Sequence, residues 1–157
     1  MRSPTGRPLS PNRPLLETSA VRLGLTAKDK ADALSQCGEV LVEIGAATKE
    51  YAAALHEREE SVSTYVGEGV AIPHGTNESR EHIERVALAF LQFPDGVDWD
   101  GQNVTVCVAI ASKSEEHVDI LSALAQVLMD PAKAAELRDA KAADAVLALL
   151  SPPEPKE

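Results

Sequence analysis

Four histidines are the side chains of this sequence best suited to proton or group transfer, because the ordinary pKa of imidazole lies near physiological pH. His56 and His82 lie among charged and polar neighbours, which is typical of solvated surface residues. His74 and His117 stand beside apolar segments instead. The sequence therefore indicates these two as the candidates for chemistry.

His74 follows the apolar residues 70–72 and Pro73. Because proline fixes its own φ and disfavours a helical conformation in the residue before it, the run is predicted to be a buried strand with His74 at its tip. Gly75 has no Cβ and leaves room for a bulky anion or a partner backbone, and the Thr76 hydroxyl can donate to an oxyanion. The alternative is a turn histidine that happens to follow proline.

His117 falls in the first turn of a helix predicted over residues 115–129. It lies one turn before Leu121 on the same face, so we expect it on the inward stripe. The positive end of the helix dipole disfavours imidazolium there, and unpaired backbone N–H groups favour a nearby anion. The alternative is a core histidine held by a backbone carbonyl.

Arg58 is the only arginine between Arg22 and Arg80. Its guanidinium could fork onto phosphoryl oxygens. The alternative is a surface ion pair with Glu57 or Glu59, which would contribute little to stability.

Motifs for several other chemistries are missing from the sequence. It contains no GxxxxGK[ST] phosphate loop, no GxSxG elbow, no HExxH motif and no CxxC pair. Cys37 and Cys107 lie in apolar periodic segments, so we predict buried free thiols rather than a disulfide or a metal site. Nucleotide hydrolysis, serine hydrolysis and zinc chemistry therefore lack their usual residues.

The composition indicates an α/β protein with an aliphatic core, since 44% of the 157 residues are hydrophobic and only 3% are aromatic. The net charge of -10 argues against nucleic-acid binding. The longest apolar runs, residues 86–91 and 104–111, are far shorter than the ~20 residues that cross a bilayer, so no membrane insertion is expected. The first residues do not resemble a signal peptide, so we expect a cytoplasmic protein.

Hydrophobic periodicity predicts the order of the elements. A first strand contains Val21, Leu23 and Leu25, and a helix capped by Thr26, with Asp29 completing a capping box, runs to about Ile44. The next helix is predicted over residues 49–60, after Thr48. Strands are predicted over residues 70–74, 86–93 and 104–111, with turns at 94–96 and 99–101. Three more helices are predicted: one over 115–129, a short one that begins at Pro131, and one over 142–150.

This order predicts one layered α/β domain with a mixed parallel and antiparallel sheet of four to five strands, flanked by about five helices. The expected domain covers residues 16–151. Residues 1–15, rich in proline and arginine, and residues 152–157 are expected to be disordered tails.

Four separated segments resemble one known family. They are residues 51–59 (Tyr-Ala-Ala-Ala-Leu-His-Glu-Arg-Glu), 69–76 (Gly-Val-Ala-Ile-Pro-His-Gly-Thr), 93–97 (Phe-Pro-Asp-Gly-Val) and 116–121 (Glu-His-Val-Asp-Ile-Leu). Their order and spacing, over residues 21–150, resemble the mannitol/fructose-type enzyme IIA domain of the bacterial sugar phosphotransferase system. The mannitol branch is the most similar.

The resemblance implies a phosphohistidine carrier. His74 would accept a phosphoryl group from phospho-HPr and pass it to a cysteine of an enzyme IIB, met in trans, during sugar uptake. His117 would assist, Arg58 would stabilise the phosphoryl group, and Thr76 could donate a hydroxyl hydrogen bond. The scheme requires no cofactor and no metal.

A second function is compatible with the same residues. The phosphorylation state of His74 could control binding to a transporter, a kinase or a transcription factor, which would make the chain a regulatory module. Onward transfer to an enzyme IIB cysteine distinguishes the two hypotheses.

Overall fold

The computed structural model describes residues 16–61, 63–112 and 118–150. The predicted tails lie outside these ranges. The strands are β1 (Leu16–Arg22), β2 (Tyr65–Gly67), β3 (Val70–Ala71), β4 (Ala87–Trp99) and β5 (Gln102–Ala111). The helices are α1 (Lys30–Glu43), α2 (Lys49–Ser61), a 3-10 helix (Asn77–His82), α3 (Val118–Leu128), α4 (Pro131–Arg138) and α5 (Ala143–Leu150).

The five strands form one mixed sheet in the order β1-β4-β5-β3-β2. β1 pairs with β4, and β3 with β5, in parallel, whereas β4 pairs with β5, and β2 with β3, antiparallel. This arrangement confirms the predicted α/β fold with a mixed sheet. In the described part of the chain, no helix has both the length and the apolar character required to cross a membrane.

The core lies on the central strands β4 and β5, whose residues from Ala87 to Phe93 and from Val106 to Ala111 are buried. Helix α1 turns a buried face toward it, and the buried residues recur with the 3.6-residue period of an amphipathic helix. The buried members of that face are Ala33, Leu34, Cys37, Gly38, Val40 and Leu41. A Cβ on Gly38 would lie 2.6 Å from Cβ of Ala52, so only glycine permits this approach of α1 to α2. Both cysteines are buried and free, as predicted.

The predicted start of α1 is wrong by three residues. Asp29, not Thr26, is the N-cap, and its carboxylate accepts from the backbone N–H of Asp32 at 2.8 Å. The reason lies in β4, because Gly24 and Leu25 donate their N–H groups to the side chain and the carbonyl of Gln92. These bonds hold the bend at Gly24 against β4 past the end of β1 and delay the helix.

The turn predicted at residues 94–96 does not end its strand. β4 continues to Trp99, and pairing with β5 shifts register between Gln92 and Val97. The turn residues form a bulge, with Gly96 at φ +85. The true reversal is at Asp100 and Gly101, with φ values of 56 and 95, as predicted for the second turn.

Candidate functional site

His74 lies where β3 leaves the sheet. β3 ends at Ala71, earlier than predicted, but the chain stays beside β5 through a single parallel bridge between His74 and Ile110. The Ile110 N–H donates to the Pro73 carbonyl at 2.9 Å. Regular pairing cannot continue here because proline has no N–H to donate. The half-buried His74 side chain is therefore held at the strand end.

The protonation of the His74 ring follows from one contact. Its Nδ1 atom lies 3.0 Å from the carbonyl oxygen of Ile72. A carbonyl can only accept, so Nδ1 is the nitrogen with the hydrogen, and the lone pair of the neutral ring is on Nε2. Nε2 is thus the atom of this ring that can act as a nucleophile or a base.

Tyr51 of α2 connects the two segments that meet at His74. Its buried hydroxyl donates to the carbonyl of Ile110 at 2.8 Å and accepts from the N–H of Gly75 at 3.0 Å. Burial raises the pKa of Tyr51, and the Gly75 hydrogen bond and the positive charge of Arg80 oppose that rise. The phenol therefore remains a neutral hydrogen-bond donor at physiological pH.

The residues after His74 pack tightly against Tyr51. A Cβ on Gly75 would lie 2.6 Å from the Tyr51 ring and 2.6 Å from Oγ of Ser79, so glycine is required by close packing here. Thr76, half-buried, precedes the 3-10 helix, and its carbonyl accepts from the N–H and Oγ of Ser79 at 3.1 and 2.6 Å. Its side chain makes no capping hydrogen bond to that helix.

Arg58 is half-buried in the last turns of α2. It follows Tyr51 by seven residues, which is about two helical turns, so the two residues share one side of the helix. α2 therefore contacts the His74 segment through Tyr51 and presents Arg58 roughly 10 Å further along its axis.

Glu59, offered above as a possible ion-pair partner of Arg58, is directed into the core and is 5% exposed. One carboxylate oxygen accepts from the N–H and hydroxyl of Thr64 at 3.1 and 2.6 Å, and the other from Nε1 of Trp99 at 2.9 Å. Nζ of Lys30 lies 3.5 Å from the same oxygen that accepts from Trp99. This cluster joins the end of α2 to the chain before β2 and to the β4–β5 hairpin.

Glu59 was not predicted to be a structural residue. A signal was present, because Glu59 continues the inward stripe of Tyr51 and Leu55 at intervals of four. The hydrogen bonds of the Tyr51 hydroxyl were not predicted either.

Arg138 of α4 fixes the turn before β3. Glu68 and Gly69 have φ values of 54 and 76 between the antiparallel strands β2 and β3. Nη1 of Arg138 donates to the Glu68 carbonyl at 2.9 Å and lies 3.2 Å from its carboxylate. The strand that ends near His74 is thus anchored at both ends.

His117 lies outside the described residues, so its predicted place in the first turn of a helix over residues 115–129 is not tested. The assistance that His117 would give to His74 likewise stays a prediction. The structure places His74, Gly75 and Thr76 in one segment and Arg58 on the helix that contacts it.

Both the sequence and the fold of the chain are similar to those of known proteins. Residues 14–152 match the family model described as "Phosphoenolpyruvate-dependent sugar phosphotransferase system, EIIA 2". The chain belongs to this enzyme IIA family. The mannitol-specific phosphotransferase enzyme IIA component of Staphylococcus aureus (strain MRSA252) is 38% identical over 132 residues, covering 84% of this chain and 92% of that protein.

Solved enzyme IIA structures have the same fold. The crystal structure of mannitol IIA from Escherichia coli is 32% identical, with a TM-score of 0.78 over 86% of this chain and 98% of that one. The complex of the Escherichia coli mannitol enzyme IIA with phosphorylated enzyme IIB includes a chain that is 31% identical, with a TM-score of 0.79 over 87% of this chain and 99% of that one. The chain is therefore an enzyme IIA of the mannitol type.

Proposed function

We propose that this enzyme IIA is a phosphohistidine carrier that accepts a phosphoryl group on Nε2 of His74 from phospho-HPr and passes it to a cysteine of an enzyme IIB in mannitol-like sugar uptake. The main support is the contact between Nδ1 of His74 and the Ile72 carbonyl. Because that contact places the hydrogen on Nδ1, the lone pair of the neutral ring lies on Nε2, which is the atom that would attack phosphorus.

Each transfer is a balanced displacement. The Nε2 lone pair forms an N–P bond as the N–P bond of phospho-HPr breaks, and the HPr imidazole leaves with the bonding electrons. In the second step a cysteine thiolate of enzyme IIB forms an S–P bond while the His74 N–P bond breaks. The loose transition state mainly requires positioning and charge stabilisation. We assign these roles to Arg58, Thr76 and His117.

The comparisons support the choice of partners. The Staphylococcus aureus relative is named as mannitol-specific, and the Escherichia coli enzyme IIA was solved with phosphorylated enzyme IIB. At 38% and 31% identity over most of both chains, the same acceptor class is the natural hypothesis for this protein. The donor HPr follows from the family resemblance.

Incubation with phosphorylated HPr tests the proposal. Wild type is expected to gain one acid-labile phosphoryl group, and His74→Gln none. His56→Gln is the matched control, since His56 contacts Ser35 on the α1–α2 surface and should leave uptake unchanged. Phosphorylation of His74→Gln would contradict the assignment.

Addition of enzyme IIB and sugar then tests the direction of transfer. Loss of phosphate from His74 with formation of sugar phosphate is the expected result. Phosphate that remains on His74 while affinity for a transporter, kinase or transcription factor changes would support the regulatory module instead.

A further inference from the structure

We propose that Tyr51 is a positioning residue for His74: its hydroxyl fixes the backbone on both sides of the histidine and so holds the ring with Nδ1 on the Ile72 carbonyl. This inference rests on the proposed function of His74. Tyr51 does not touch the phosphoryl group in this scheme, and it acts only through Ile110 and Gly75.

The phenol has a defined direction of hydrogen bonding. Its single proton is donated to the Ile110 carbonyl at 2.8 Å, and its oxygen accepts the Gly75 N–H at 3.0 Å. A phenylalanine at this position would leave a buried carbonyl and an N–H without these partners. The bonds connect positions separated by 59 and 24 residues, so they join three distant parts of the chain.

Ile110 completes the arrangement. Its N–H donates to the Pro73 carbonyl at 2.9 Å, and it forms the bridge to His74. The peptide before His74 is therefore held by Ile110, and the peptide after it by Tyr51. With both flanking peptides fixed, the Cα–Cβ direction of His74 is fixed, and rotation about its two side-chain torsions alone brings Nδ1 to the Ile72 carbonyl.

The ring of Tyr51 also sets the position of the segment. The absence of a Cβ on Gly75 lets the backbone lie against the ring, where a methyl group would come within 2.6 Å of it. Movement of the phenol would therefore move the residue next to His74. An error of about 1 Å at a nucleophile can reduce a rate by about 100-fold.

Tyr65 provides a matched control for Tyr51, because these are the only two tyrosines in the chain. The Tyr65 hydroxyl also accepts from a glycine N–H, that of Gly69 at 3.3 Å, at the opposite end of β3. Tyr51→Phe and Tyr65→Phe thus each remove one hydroxyl that binds a glycine amide of the same strand segment. Only the first removal affects the peptides beside His74.

The experiment measures steady-state transfer from phospho-HPr to an excess of enzyme IIB, in which the chain turns over, together with the imidazole ¹⁵N shifts of His74 in both variants. Tyr51→Phe is expected to lower kcat by about tenfold or more with little change in KM, and to move the His74 nitrogen signals toward a mixture of tautomers. Tyr65→Phe should match wild type in both. If Tyr51→Phe keeps the wild-type kcat and nitrogen shifts and only unfolds more easily, the proposal is overturned.

Two further outcomes are distinguishable. If wild type accepts no phosphoryl group, the proposed function fails, but the nitrogen shifts still show whether Tyr51 fixes the His74 tautomer. If Tyr51→Phe does not fold, 3-fluorotyrosine in the Tyr65→Phe background labels Tyr51 alone with a more acidic phenol. A change in the His74 shifts and in kcat supports the proposal, and wild-type values for both overturn it.

Discussion

Nδ1 of His74 donates to the carbonyl of Ile72, two residues earlier in the chain, at 3.0 Å. The bond is local in sequence, yet it forms because Pro73 keeps the intervening backbone extended and Ile110 holds the Pro73 carbonyl. Nδ1 is thus hydrogen-bonded to the protein backbone. Nε2 is the atom that is proposed to accept the phosphoryl group.

Nuclear magnetic resonance of the imidazole nitrogens checks this assignment directly. Neutral His74 is expected to show a protonated Nδ1 and an unprotonated Nε2, because only that tautomer can donate to Ile72. After phosphorylation, the ¹⁵N–³¹P coupling should appear at Nε2. Coupling at Nδ1 would contradict the geometric assignment while leaving phosphorylation of His74 itself intact.

Arg58→Ala is expected to slow phosphoryl transfer far more than it destabilises the fold. Loss of one donor that stabilises transition-state charge typically costs about 100-fold in rate. The half-buried side chain at a helix end should contribute no more than about 1 kcal/mol to the free energy of unfolding. Single-turnover transfer from phospho-HPr and urea unfolding measure the two effects.

Arg58→Lys is the informative companion to that variant. It keeps the positive charge but lacks the planar pair of donors, so transfer should recover only in part. Full recovery would show that charge alone is required. A large fall in Tm for Arg58→Ala with normal transfer kinetics would show that the arginine has a structural role instead.

Glu59→Gln is expected to reduce the free energy of unfolding by about 2–4 kcal/mol, because an amide nitrogen would face the donors of Thr64 or Trp99. Lys30, 5.7 Å from the centroid of the Trp99 ring, would also lose one of its two anionic partners, while Asp100 would stay at 2.7 Å. Urea unfolding followed by the fluorescence of Trp99, the one tryptophan of the chain, measures the change. The exposed Glu60→Gln should alter stability by no more than about 0.5 kcal/mol, and equal effects would refute the role of Glu59.

The fold was predicted best where local pattern and tertiary context agree. The inward face of α1 follows from helical period alone, and the Asp100–Gly101 reversal follows from turn chemistry. The chain at 94–96 has the same turn chemistry, but pairing resumes between Val97 and Val104, and a bulge forms instead. Similarly, Thr26 and Asp29 are both suitable caps, and distant bonds to Gln92 decide between them.

The candidate site likewise has features that the local sequence predicts and features that depend on distant residues. The tip position of His74 could be predicted from the proline and glycine beside it. The bonds of Tyr51 could not, because they involve residues 24 and 59 positions away, and periodicity predicts only which way its ring points. Glu59 was considered only as a surface ion-pair partner of Arg58, although its spacing from Leu55 places it on the buried stripe.

High pH should destabilise the fold through Tyr51. Burial raises the pKa of its folded-state phenol above the ordinary value of 10.0. Between pH 10 and that raised pKa, the unfolded chain loses a proton that the folded chain keeps, so the free energy of unfolding falls as pH rises. In Tyr65→Phe, absorbance at 295 nm is expected to rise above pH 10 together with loss of Trp99 burial, and the double variant with Tyr51→Phe should show no such rise. Ionisation of Tyr51 below pH 10 in the folded protein would show that the phenol is not the buried donor of the Ile110 bond.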